Sequence, residues 1–213
     1  MMNICLEVWG DFALFTRPEF KAERVTYDTI TPSAACGLLK SIYWHPGVEY
    51  IIDRIHICSP IRYLNIRRNE RDAVANVKKA RSAMESDNCD LFPPADSSAA
   101  QRFNTVLRDV RYVIEARIIM NEAVGKNDTL LKHHAMFERR ASRGQYFRQP
   151  VFGIREFPAN FKTCEAIPPC PKELEGTFDL GWMLHHLDYS DPGNVKACYF
   201  PAVLKNGVLD VSA

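Results

Sequence analysis

The order in which strand-like and helix-like segments alternate along the chain is what most constrains its fold. Ile4 to Val8 reads as a short strand that stops at Gly10-Asp11. A loop carrying Arg17, Lys21 and Arg24 follows. Thr31-Pro32 then opens a helix, with threonine as N-cap and proline at the first helical position, where its missing N–H costs nothing. Ala35, Leu38, Leu39 and Ile42 form the apolar stripe of that helix. Tyr43 lies at the edge of the stripe, and His45-Pro46-Gly47 ends the segment. Tyr50 to Leu64 reads as a long strand and Phe103 to Met120 as another. A second helix begins at Asp128 or Thr129, and Pro150 to Phe157 reads as a last strand.

This β, α, β, β, α, β succession predicts an α+β fold of the split-βαβ, ferredoxin-like kind, which RNA-recognition domains share. A fold does not fix a function. The aromatic consensus of ordinary RNA-recognition strands is also missing from the outer strands. An insertion at about 69–100 interrupts the pattern. Its approach is basic, with Arg62, Arg67, Arg68, Arg71, Lys78, Lys79 and Arg81, and its end is acidic and rich in Pro, Ser and Ala. After a Pro-rich stretch over 158–177, Phe178 to Tyr189 and Cys198 to Val211 read as strands, with Asn206-Gly207 as a hairpin turn. The expected organisation is one domain over 1–157 and a small antiparallel β-sheet module over 158–213.

Composition sharpens this only when divided. The net charge of the 213 residues is +1, but residues 1–148 hold 22 Lys/Arg against 18 Asp/Glu, whereas 149–213 hold 5 against 8. One part is suited to gripping an anion and the other is not. The seven cysteines show no CxxC or other metal-ligand spacing. With no signal peptide and no long apolar run, they fit a reduced, cytoplasmic chain with no membrane partner.

The segment LLKHHAMFERRASRGQYFRQPVFG, Leu130 to Gly153, carries the chemistry. Arg139, Arg140, Arg143 and Arg148 are interleaved with Tyr146 and Phe147, as expected of a surface that tracks phosphates and stacks bases. At about 100° per residue, Leu130, Phe137 and Ala141 share one arc, which takes in His134. Lys132, Arg139 and Arg143 face the other way, and His133 lies with Arg140 on the flank of the basic side. On this phase His134 is a core residue and His133 is presented to a phosphodiester. The ordinary alternative is a merely solvated basic face.

Trp9 to Pro46 (WGDFALFTRPEFKAERVTYDTITPSAACGLLKSIYWHP) resembles the N-terminal signature of the CRISPR-associated RAMP endoribonucleases of subtype I-C systems. Lys132 to Phe157 is similar to that family's second signature, and FDLGWMLHHLDYSD and AVLKNGVLDV resemble its C-terminal module. The resemblance implies cleavage of CRISPR repeat RNA without a metal or cofactor, with the mature guide RNA staying bound. It implies a catalytic set of Tyr43, Lys132 and His133. It also implies the other subunits of a surveillance complex as partners, with double-stranded DNA as a further candidate. A second class stays open: a non-cutting subunit that only holds the guide's 5′ end.

The chemistry suits those residues. RNA supplies its own nucleophile, the 2′-OH, so cleavage to a 2′,3′-cyclic phosphate and a 5′-OH needs only proton transfer and charge stabilisation. A histidine titrates near neutral pH and can move the proton. A lysine can stabilise the developing charge, and the tyrosine can orient the 2′-OH or share the proton transfer. Arg17, Lys21 and Arg24 in the first loop, and Arg67, Arg68 and Arg71 near the tip of a long hairpin, are placed to grip RNA phosphates. His185 and His186 should point to opposite faces of a strand and so not act together. His45 and His56 have no evident partner.

Overall fold

A computed structural model describes residues 1–20, 22–71, 76–86, 99–121, 128–191 and 193–211; Lys21 and the side chain of Arg71 lie outside the described residues. The elements are β1 (Met2–Ala13), α1 (Pro32–Ile42), β2 (Val48–Ile57), β3 (Tyr63–Arg71), α2 (Val77–Glu85), β4 (Ala99–Met120), α3 (Leu130–Ser142), β5 (Asn160–Thr163), β6 (Thr177–Asp188), β7 (Lys196–Lys205) and β8 (Val208–Asp210). The strands form one sheet in the order β5-β1-β4-β2-β8-β7-β6, with β3 pairing β4 off this path, and every pairing is antiparallel. No helix among the described residues is long and apolar enough to cross a membrane.

The sheet is organised around β4. Its C-terminal part is flanked by β1 on one side and β2 on the other, while its N-terminal part pairs with β3 as an arm. The arm departs near Asp109, which has a positive φ of 53° and is skipped, with Asp11, in a ladder that otherwise keeps one register from Gly10↔Val110 to Phe12↔Arg108. On β1, Ile4, Leu6 and Val8 are buried at the two-residue spacing of a strand with one covered face. α1 buries Ala35, Leu38, Leu39 and Ile42, the stripe its sequence predicts. Thr31 caps it by accepting a hydrogen bond from the Ala34 N–H at 3.2 Å.

Two predicted strands fall differently. The run from Tyr50 to Leu64 is two strands, β2 and β3, separated at Cys58–Arg62. Pro60 lies in this break; it has no N–H to donate to a ladder. Residues 150–157 are not a strand. Phe152 is fully buried, Leu14 N–H donates to its carbonyl, and Gly153 turns the chain at φ +85°. A Cβ at Gly153 would sit 1.9 Å from the Leu14 carbonyl oxygen, so only glycine allows this approach. The strand that pairs with β1 comes later, at Asn160–Thr163, inside the stretch expected to be a connection. Within the insertion, α2 is capped by Asn76 and buries no residue.

The C-terminal hairpin is as expected. Asn206 (φ 48°) and Gly207 (φ 73°) make its turn, and β8 pairs with β2, so β6 to β8 continue the sheet of the first part.

Candidate active site

Tyr43 and His133 are 90 positions apart in sequence, yet the Tyr43 hydroxyl lies 2.7 Å from His133 Nδ1. Tyr43 is the C-cap of α1, and the Tyr50 hydroxyl donates to its carbonyl at 2.7 Å, which fixes the backbone there. His133 stands in the first turn of α3, where Thr129 is the N-cap and accepts from Lys132 N–H. α1 and α3 cover the same sheet, and this packing brings the end of one to the start of the other.

His133 is only 1 % exposed, whereas His134 is half-buried, with its Nε2 at 2.9 Å from the Asn3 carbonyl. The two histidines therefore take the reverse of the roles expected from the helical phase. Leu130 is only half-buried, and Met136 packs against the core from the other flank. This turns the covered arc by tens of degrees, from His134 toward His133. The resulting buried stripe is His133, Phe137 and Ala141.

Asp128 joins the cluster, although its sequence position suggested only a helix cap. Its Oδ1 lies 2.6 Å from Lys132 Nζ, and its Oδ2 lies 3.5 Å from His133 Nε2 and 3.6 Å from His45 Nε2. The His45 and His133 rings are 4.5 Å apart. Gly47 N–H donates to His45 Nδ1 at 3.3 Å, so neutral His45 carries its proton on Nε2, toward Asp128. The Asp128 carboxylate can only accept, so neutral His133 carries its proton on Nε2, which faces it, and Nδ1 is left to accept from the Tyr43 O–H. That Nε2 makes no hydrogen bond with any described residue. Asp128 sits at i,i+4 from Lys132, a spacing that could have flagged the pair. No sequence signal ties His45 to either.

The electrostatics follow from burial first. Desolvation pushes the His133 pKa down, with Asp128 pulling it back up and His45 and Lys132 adding to the fall. Burial raises the Tyr43 hydroxyl, opposed by Arg140 and Lys132. The hydrogen bond between Lys132 and Asp128 raises the lysine and lowers the aspartate. At neutral pH the site therefore holds a neutral imidazole accepting from a tyrosine, beside an ammonium that is well exposed. Ligand atoms of His45, Asp128 and His133 all lie within 4.8 Å of one another, a set able to hold a divalent ion.

The arginines divide into two groups. Arg140 lies with its guanidinium 5.1 Å from the Tyr43 ring centre and donates to the Ile42 carbonyl at 3.0 Å, which makes it a brace of the site. Arg139, Arg143 and Arg148 are exposed and make no ion pair with any described residue. The first-loop and arm residues are mostly engaged within the molecule. Arg17 pairs with Asp28 at 2.9 Å and lies over Tyr27; Arg24 lies 3.7 Å from Glu70; Arg67 covers Phe103; Arg68 pairs with Glu156.

The Cas5d family model, described as "CRISPR-associated protein (Cas_Cas5)", matches residues 3–212. The chain belongs to the Cas5d family. It is 47% identical to the CRISPR pre-crRNA endoribonuclease Cas5d of Mannheimia succiniciproducens, over 98% of this chain and 94% of that one. Its fold is similar to a solved CRISPR-associated protein (TM-score 0.70, 22% identity, 100% of this chain and 92% of that one). It is also similar to a chain of a CRISPR RNA-guided surveillance complex (TM-score 0.54, 10% identity, 95% and 88%). This is a mixed α/β Cas5 fold built on a largely antiparallel sheet.

Proposed function

We propose that this protein is an endoribonuclease that cuts CRISPR repeat RNA, using Tyr43, His133 and Lys132, and stays with the guide RNA as a subunit of a subtype I-C surveillance complex. The observation that carries this reading is the 2.7 Å contact between the Tyr43 hydroxyl and a His133 nitrogen, with Lys132 next in the chain. The 2′-OH attacks the adjacent phosphorus while its proton passes to Tyr43, and the tyrosine's own proton passes to His133 Nδ1. Lys132 meets the non-bridging oxygens as negative charge builds there. The bond from phosphorus to the 5′-oxygen breaks, that oxygen takes a proton from water, the hydroxide so formed takes the proton held on His133, and a 2′,3′-cyclic phosphate and a 5′-OH result. Asp128, 3.5 Å from the other nitrogen of His133, favours the ring proton there and leaves Nδ1 free to accept.

The strand order β5-β1-β4-β2 across α1 and α3, with all neighbours antiparallel, supports a ferredoxin-like reading of the first part of the chain. That unit closes with β5 at Thr163, and β6 to β8 form a C-terminal sheet module joined to it.

The test is purified protein with its cognate repeat RNA in EDTA. Cutting is expected, and a 2′-deoxy substitution at the scissile nucleotide should abolish it. His133→Ala and Tyr43→Phe should each lose cleavage by orders of magnitude while still binding RNA. Undiminished cutting of the 2′-deoxy substrate would sink the mechanism. Binding without any cutting by the wild type would favour the non-catalytic subunit.

A further inference from the structure

We propose that Trp44 and Phe147 form a stacking subsite for the nucleobase next to the scissile phosphate. The inference rests on the RNA-cleaving reading above and adds a position to it. Both side chains are large, apolar and exposed, Trp44 by 51 % and Phe147 by 63 %. Their ring centres are 6.3 Å apart and their planes differ by 26°. Aromatic pairs in contact span about 4.5–7 Å between centres. Near the far end of that span, nearly parallel rings overlap little, and each keeps most of a face open.

The backbone places this pair at the reactive residues. The last carbonyls of a helix have no partner within it. Here Phe147 N–H donates to Ser41 and Ile42 carbonyls at 2.9 and 3.2 Å, and Arg148 N–H donates to Ser41 at 2.9 Å. The chain beyond α3 thus caps α1, and Phe147 is held by its backbone, with its ring left free. Tyr43 has extended dihedrals (φ −138°, ψ 118°). In extended chain, successive side chains point opposite ways. Tyr43 turns inward to His133, and Trp44 turns outward to solvent beside Phe147.

The surroundings select a nucleotide over an apolar partner. Arg143 and Arg148 are exposed, make no ion pair with described residues, and flank Phe147 in sequence. Arg140 lies over the ring of Tyr43, the neighbour of Trp44. Open aromatic faces on a segment that also carries exposed cations without ion-pair partners fit a base attached to a phosphate. Every base has a π-face, so this subsite supplies affinity and position and does not read base identity.

The experiment compares Trp44→Ala, Trp44→Phe and Trp44→Leu in the whole protein with its cognate repeat RNA. Stacking on one base is worth about fivefold to a hundredfold or more in affinity. Trp44→Ala should weaken RNA binding by such a factor and slow single-turnover cleavage. Trp44→Phe should recover most of the loss and Trp44→Leu should not, because leucine restores apolar bulk without a π-face. In the His133→Ala background, 2-aminopurine placed on either side of the scissile phosphate should be quenched on binding at one of the two positions, and Trp44→Ala should relieve that quench. Wild-type affinity in Trp44→Ala, equal recovery by leucine and phenylalanine, or a quench indifferent to Trp44 would each overturn the subsite. Absence of cutting by the wild type would instead count against the catalytic reading, and the 2-aminopurine arm reads stacking without any cleavage.

Discussion

His133 combines near-complete burial with two polar neighbours, Tyr43 at one ring nitrogen and Asp128 at the other. Burial lowers its pKa, so it is neutral, and able to accept a proton, through the physiological range. The cleavage rate should rise with pH through a titration lying below the ordinary histidine value of about 6.5. Asp128 holds that pKa up, so Asp128→Asn should shift the rising limb to still lower pH, as rate–pH profiles of both proteins would show. An unmoved limb would mean that the titrating group is not His133. Stability has the same sign. A group whose folded pKa is depressed binds more protons when unfolded, so the His133 contribution is complete above about 6.5 and declines as pH falls toward its folded pKa. The cluster of His45, Asp128 and His133 makes a second prediction at this scale. Zn²⁺ held by His133 Nε2 would force the ring proton onto Nδ1, which then cannot accept from Tyr43. Micromolar Zn²⁺ should therefore inhibit cutting, EDTA should restore it, and His45→Ala should weaken Zn²⁺ binding in calorimetry.

At the scale of elements, the contrast is between cations that are free and cations already spent. Arg139, Arg143 and Arg148 surround the end of α3 without ion-pair partners among the described residues, while Arg67 and Arg68 on β3 are occupied by Phe103 and Glu156. Replacing Arg139, Arg143 and Arg148 with glutamine should weaken RNA binding and flatten log K against log salt by about 2, since each phosphate left without its cation on a single strand changes the slope by about 0.7. Glutamine at Arg67 and Arg68 should flatten it less; a greater effect there would place the principal phosphate grip on the arm. Elements with a local rule are legible in the sequence. Thr31-Pro32 starts α1 as a cap must, and the Asn206-Gly207 turn needs the positive φ those residues tolerate. Elements decided by distant packing are not. Helical phase alone misplaces His133 because Met136 packs on the core and rotates the covered arc of α3, which no local pattern announces. His185 and His186 escape the alternation rule because the β6 register shifts between Leu184 and His186, bringing their Nδ1 atoms to 2.7 Å. The family signatures point to Tyr43, Lys132 and His133, and spacing ties Asp128 to Lys132; His45 becomes visible only when α1 meets α3.

For the whole molecule, the open question is whether the C-terminal strands are a separate unit or part of one cooperative structure. Their own sequence, set off by a Pro-rich stretch, reads as a module. Their packing argues the other way. β8 pairs with β2 through Arg54↔Asp210, Ile55↔Leu209 and His56↔Val208, and Ile57 N–H donates to Gly207. Met183, Ala202, Leu204 and Leu209 are fully buried and belong to the same apolar cluster as Leu6, Leu39 and Phe137. Separating the two parts would expose that shared core and leave the edge of β2 unpaired, a cost far larger than the few kcal/mol by which loosely joined domains differ in stability. Denaturant unfolding should therefore be a single transition. Trp182 lies on β6, while Trp9 and Trp44 lie in the first part, so single-tryptophan variants can report each region. Their fluorescence midpoints should coincide with each other and with that of far-ultraviolet circular dichroism. A Trp182 transition that precedes the others would show that β6 to β8 melt as a module of their own, and the shared core would then contribute less to stability than its burial implies.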